Sequence, residues 1–301
     1  MSERIWLEVA LNGPWGKRGQ PLCPTSVSEI VAEGVACVQE GASIVHMHAF
    51  DVEADRQLDC ADTYTRIIEG IRERVDAIVY PTIAIGEDRF AVVEQLTKRK
   101  LLEWMALDSG SVNIEPLDGP IRSSHSVYAN PPRAIQRGFS IAAEYGIHPA
   151  IAAYEPGFVR STCSWTKRLS SCPAPIFRVM FSNEYTFGLP PADYAFRAWR
   201  QIIDDLAPGA PLMVAGLGID TFELLPQTLD IDAHIRVGLE DMPRGCRMSN
   251  VSQVRRMAEL GVWLDAQSGI AAQTGEWLAA LMGAETAAEA WPFAAALDAG
   301  V

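Results

Sequence analysis

Residues 40–51 read EGASIVHMHAFD, Glu40 to Asp51, and their reading decides the fold class. Ser43–Phe50 (SIVHMHAF) is a short apolar run of strand length. Thr25–Gly41 before it is amphipathic, opens on the capping pattern Ser26-x-x-Glu29 and stops at a glycine, which predicts a helix. Before that helix, Trp6–Gly13 (WLEVALNG) predicts another strand. The same alternation continues downstream. Strands are expected over Ala77–Ala84, Trp104–Asn113, His148–Tyr154, Ile176–Asn183, Pro211–Gly216 and Ala233–Glu240. Helices are expected over Cys60–Arg74, Asp88–Lys100, Pro131–Gly146, Phe158–Ser170, Pro191–Leu206, Thr221–Leu229 and Val251–Leu264, with a long loop at Ile114–Asn130. Eight strand–helix units in a row predict a (β/α)8 TIM barrel, one domain over residues 1–301, with an alanine-rich helical tail from about 275. An open doubly wound sheet is the alternative reading of the same alternation.

The composition narrows the function. The 301 residues are 49% hydrophobic, enough for a large core, and 21% charged, an ordinary globular value. A formal net charge of -13 argues against nucleic acid, which needs a basic face. No stretch of about 18 uncharged apolar residues predicts a membrane helix. The start MSERIWLEVALNG lacks a basic n-region and an apolar h-region, so no signal peptide is expected. Six cysteines without a C-x-x-C pair then read as free thiols in the cytoplasm.

The active site of a β/α barrel lies at the carboxyl ends of its strands. The second strand ends in His46-Met47-His48, and alternate strand residues face the same way, so both imidazoles can reach one ion. A third ligand is needed. The eighth strand adjoins the first in a closed barrel, and its end carries Glu240-Asp241. Two histidines and one carboxylate suit zinc and non-haem iron alike. Arg236 lies four residues before Glu240 on the same face, either as part of a barrel ion pair or as a partner for Asp241 or a substrate carboxylate. Asn12, Thr82, Asp108, Ser111 and Asn113 stand at other strand ends as candidate substrate contacts. His148 and His234 fall at strand starts, where structural roles are expected, and His125 is isolated.

These motifs resemble the β-keto acid cleavage enzyme family, the 3-keto-5-aminohexanoate cleavage type. The matching stretches are ALNG (10–13), CPTS (23–26), EGASIVHMHAFD (40–51), LDSGSVN (107–113) and IRVGLED (235–241), spread over nearly the whole chain. The resemblance implies a barrel with zinc held by His46, His48 and Glu240. It implies Asp241 as general base, paired with Arg236, and Thr82 as a substrate contact. It also implies a reaction of a β-keto acid with acetyl-CoA to give acetoacetate and a new acyl-CoA, and a homo-oligomer, a tetramer. For the CoA phosphates, Arg160, Lys167, Arg168, Arg244 and Arg247 are the candidate cations. The chain departs from the family after Asp241, reading MPRG over 242–245, and after Thr82, reading IAI over 83–85; both departures bear on the substrate. Two rivals differ in class: another metal-dependent barrel lyase, aldolase or hydrolase, and a non-catalytic barrel that binds a metabolite. An amidohydrolase-type site places its H-x-H on the first strand with further histidines on strands five and six, whereas here the pair is on the second strand and strands five and six end without histidine.

Overall fold

The computed structural model describes residues 5–84, 88–118 and 127–266. Eight strands follow in chain order: β1 (Leu7–Ala10), β2 (Ile44–Met47), β3 (Ile78–Pro81), β4 (Trp104–Ala106), β5 (His148–Ala153), β6 (Ile176–Phe181), β7 (Leu212–Gly216) and β8 (His234–Val237). All their ladders are parallel, in the order β3-β2-β1-β8-β7-β6-β5-β4. β3 and β4 come side by side without a ladder, so the barrel is nearly closed. The pairing of β1 with β2 on one side and β8 on the other brings the second and eighth strand ends within reach of each other.

Helices α1 (Val27–Gln39), α2 (Ala61–Arg72), α3 (Ala91–Lys98), α4 (Pro132–Tyr145), α5 (Pro156–Arg168), α6 (Asp193–Leu206), α7 (Leu225–Asp230) and α8 (Asn250–Ala266) return the chain between strands or follow the last. The capping box predicted for α1 forms: Ser26 Oγ accepts from Glu29 N at 3.2 Å, and the Glu29 carboxylate accepts from Ser26 N at 2.9 Å. Such a cap contributes about 1 kcal/mol. Among the described residues, no helix is long and apolar enough to cross a membrane. All six cysteines are free thiols. The chain divides into a barrel unit, Ile5–Arg255, and a second unit of Met1–Arg4 with Arg256–Val301. The helical tail expected from about 275 lies outside the described residues, as does His125.

The strands are shorter than the sequence predicts, and three of the differences shape the mouth. β2 stops at Met47, so His48 lies just past its end, and Phe50–Asp51 turns to pair antiparallel with Arg56–Gln57. β4 stops at Ala106, and Val112–Asn113 pairs instead with Val127–Tyr128. β8 stops at Val237 because Gly238 adopts φ +133°. A Cβ there would meet the Ala10 carbonyl oxygen at 2.2 Å. Gly238→Ala adds backbone strain of about 1–3 kcal/mol to an overpacking cost of similar size. A loss of roughly 2–6 kcal/mol in urea denaturation is expected, because the turn cannot relax without leaving β1.

Candidate active site

The turn after β8 is fixed from three directions. Gly238 N donates to Gln253 Oε1, Leu239 N donates to Asn250 Oδ1, and the buried Gln20 amide donates to the carbonyls of Leu239 and Pro243. Trp15 Nε1 donates to the Glu240 carbonyl at 3.0 Å. Gly13 lies so close, at φ +60°, that a Cβ on it would meet Glu240 Cγ at 2.7 Å. Glu240 is thereby aimed at the end of β2. One ligand-type atom from each of His46, His48 and Glu240 falls within 4.8 Å of the other two.

Two ligand atoms each about 2.0–2.1 Å from a tetrahedral ion lie roughly 3.4 Å apart. His46 Nε2 stands 3.5 Å from Glu240 Oε2, and His48 Nε2 stands 3.6 Å from Glu240 Oε1. His48 Nε2 and Glu240 Oε2 are buried without a hydrogen-bond partner. Buried polar atoms left unpaired are costly, and a cation between them would satisfy both. Burial holds His46 well below the ordinary histidine range against the opposing pull of Glu240, so its ring is neutral and keeps a lone pair. Burial alone would raise the Glu240 carboxyl, but Arg236 holds it well below the carboxylate range. A neutral imidazole nitrogen beside an ionised carboxylate belongs to the donor set a zinc-type divalent ion takes.

Asp241 is wholly buried beside this set. Arg236 grips it with two bonds, Nε to Oδ2 at 2.9 Å and a shorter one from Nη2 to Oδ1; Gly216 N adds a third at 3.3 Å. Burial raises the Asp241 carboxyl to about 6, with Arg236 opposing and Glu240 assisting. Deeper in the barrel, Glu8 stands 3.5 Å from Arg236 and 3.2 Å from Arg178, and accepts from Tyr80 Oη at 2.7 Å. Two guanidinium groups thus face three carboxylates, Glu8, Glu240 and Asp241, leaving one negative charge in excess. In a medium of low dielectric, that excess favours a cation at the mouth. Glu8 and Arg178 were not among the sequence candidates. Their signal was present: each is a lone charge inside an apolar strand, LEVA and IFRVMF.

The remaining candidates separate. Asn12 is a bracket: its Nδ2 donates to the Pro24 and His48 carbonyls, and its Oδ1 accepts from His48 N. Both donors are spent on backbone carbonyls, so the Asn12 side chain braces His48. Thr82 follows β3, its N–H on the Met47 carbonyl, half-buried next to the end of β2. Asp108 accepts from Tyr128 Oη at 2.6 Å and Ala152 N at 3.1 Å. Ser111 is stapled to the Asn130 backbone through both its donor and its acceptor, and Asn113 sits exposed in the short hairpin. The geometry therefore gathers His46, His48, Glu240, Asp241 and Arg236, and leaves Ser111 and Asn113 in a loop staple. His148 and His234 sit at strand starts as expected, His234 stacked on Trp6 at 4.2 Å. Of the candidate cations, Lys167 and Arg168 occupy the last turn of 13-residue α5, about 20 Å of helix away from the mouth. Arg244 packs over the Trp15 ring at 4.6 Å and helps line a cavity of about 330 Å³ with Leu117, Glu184 and Tyr185.

A parallel barrel with an imidazole–carboxylate triad and a buried acid–guanidinium pair at its carboxyl mouth defines a barrel enzyme with a candidate metal centre. A profile of the beta-keto acid cleavage enzyme family matches residues 4–278. The chain belongs to that family, and so is an enzyme of carbon–carbon cleavage or condensation at β-keto acids. It is 27% identical over 266 residues to the 3-oxoadipate:acetyl-CoA acetyltransferase of Cupriavidus necator, covering 86% of this chain and 89% of that protein. It is 25% identical over 244 residues to the 3-keto-5-aminohexanoate cleavage enzyme of Fusobacterium nucleatum, covering 80% and 84%. Among solved structures, apo ObcA matches with a TM-score of 0.64 at 17% identity over 79% of this chain. This chain spans 61% of ObcA's length, and the likeness shows the shared fold.

Proposed function

We infer that this chain is a zinc-dependent β-keto acid cleavage enzyme that converts a β-keto acid and acetyl-CoA into acetoacetate and a new acyl-CoA. The observation that carries this reading is the convergence of three ligand-type atoms within 4.8 Å, next to the buried Asp241–Arg236 pair, in a chain of this family. The acetyl-CoA acetyltransferase of Cupriavidus necator, similar over most of the chain, supports acetyl-CoA as co-substrate.

His46, His48 and Glu240 would hold the zinc ion. When bound, it supplies a Lewis acid for the ketone and carboxylate of the keto acid, which acidifies the CH2 between them. Asp241 takes the proton from that CH2, and Arg236 keeps the carboxylate aimed at it. Thr82, at the end of β3, orients the keto acid. The freed carbon then bonds to the acetyl carbonyl and CoA leaves as thiolate. That thiolate adds to the original ketone carbon, whose bond to the former CH2 breaks, and Asp241 returns its proton to the departing carbanion, giving R–CO–CoA and acetoacetate. The expected assembly is a cytoplasmic homo-tetramer.

The test is metal analysis of purified protein followed by a panel of β-keto acids with acetyl-CoA. Acetoacetate and a new acyl-CoA are expected in equal amounts for at least one acid. Acetoacetate from none of a broad panel would overturn the reading.

A further inference from the structure

The hairpin after β2 holds a polar chain that ends on a candidate metal ligand. His48 Nδ1 lies 2.8 Å from Gln57 Oε1, and Gln57 Nε2 donates to Asp59 Oδ1 at 2.8 Å. A carboxylate only accepts, so the Gln57 nitrogen must face Asp59 and its oxygen must face His48. That oxygen also only accepts, so the proton of a neutral His48 ring resides on Nδ1. The lone pair is then on Nε2, the buried unpaired atom that faces Glu240 at 3.6 Å. His46 has no such bond: its Nδ1 is buried without a partner, and its ring packs against Tyr80 at 4.8 Å.

We propose that Gln57, oriented by Asp59, is a positioning residue that locks His48 in the Nδ1–H tautomer and so tunes the affinity of the cation site. The proposal rests on the metal reading above. The hairpin itself is held independently of the Gln57 side chain. The Phe50–Gln57 ladder is backbone, Leu58 N donates to the Ala49 carbonyl at 2.8 Å, and Asp55 accepts from Lys17 N and Arg18 N. Gln57 is half-buried and Asp59 exposed, so the inner link should matter more than the outer one.

The test titrates Zn2+ against a chromophoric chelator in the full chain. Removing such an outer partner weakens metal affinity about 10–100-fold. That loss is expected for Gln57→Leu and a smaller loss for Asp59→Ala. Gln57→Glu restores an acceptor and is expected to bind at least as tightly as the unmodified chain. Equal affinity of Gln57→Leu and the unmodified chain would overturn the proposal, as would a Gln57→Glu loss as large as that of Gln57→Leu. A second measurement needs no metal: nitrogen-15 spectra of the histidine-labelled, metal-free protein report each ring's tautomer. His48 is expected as Nδ1–H, and an Nε2–H ring refutes the lock. If the unmodified chain binds no zinc, the metal reading fails while the tautomer result still decides the lock.

Discussion

Asp241→Asn is expected to cut turnover by about 10²–10⁴-fold while bound metal stays at the level of the unmodified chain. The asparagine keeps the shape of the side chain and lies outside the ligand set of His46, His48 and Glu240. It loses the basic oxygen. An amide NH2 cannot take a proton from the substrate, nor accept from Arg236, which now donates to both Asp241 oxygens. Removing one partner of a buried ion pair costs about 3–5 kcal/mol when nothing else compensates. Here Glu8 and Glu240 remain 3.5 and 3.6 Å from Arg236, so the low end of that range is expected in chemical denaturation. The variant separates an enzyme from a metabolite-binding barrel, because a mere binder needs no base at this place. Unchanged turnover with intact metal would remove Asp241 from the chemistry.

The order of elements was legible because each β/α unit carries its own punctuation. Gly41 after α1, Pro131 and Pro132 at the start of α4, and the Ser26–Glu29 box mark boundaries by local backbone chemistry alone. Strand ends were less legible. The apolar run continues past Met47, Ala106 and Val237 into residues that leave the sheet, because what ends these strands is a meeting with another strand. Gly238 is the plainest case: its φ of +133° exists to clear the Ala10 carbonyl, a contact 228 residues away in sequence.

The candidate site divides in the same way. His46, His48 and Glu240 were legible from residue type at a strand end, where no core packing would choose two imidazoles. The roles of Asn12 and Gln57 were not, since an amide reads the same in sequence whether it meets a substrate or a neighbouring backbone. Only coordinates show that the Asn12 donors are spent on Pro24 and His48, and that Gln57 faces His48 Nδ1. Glu8 and Arg178 show a different limit. Within an apolar strand a single charge looks like noise, and it becomes intelligible only when three strands bring Glu8, Arg178 and Arg236 together inside the barrel.

His46→Ala is expected to abolish turnover by emptying the cation site. Apparent zinc binding energies of about 10–16 kcal/mol shared among four ligands put one ligand at roughly 2.5–4 kcal/mol, or about 10²–10³ in Kd. Two donors, His48 and Glu240, would remain, and their atoms can no longer close a three-sided cradle. The substitution leaves the charge of the cluster unchanged, because burial keeps the His46 ring neutral. Glu240→Gln provides the contrast: it removes a ligand and also the excess negative charge over Arg178 and Arg236. Its metal affinity should therefore fall further than that of His46→Ala, and equilibrium dialysis against zinc reads both. His46→Ala protein that retains zinc at the affinity of the unmodified chain would show that the ion is held elsewhere. The keto acid would then meet Asp241 and Arg236 without a Lewis acid beside them, and a different route to the carbon nucleophile would be required.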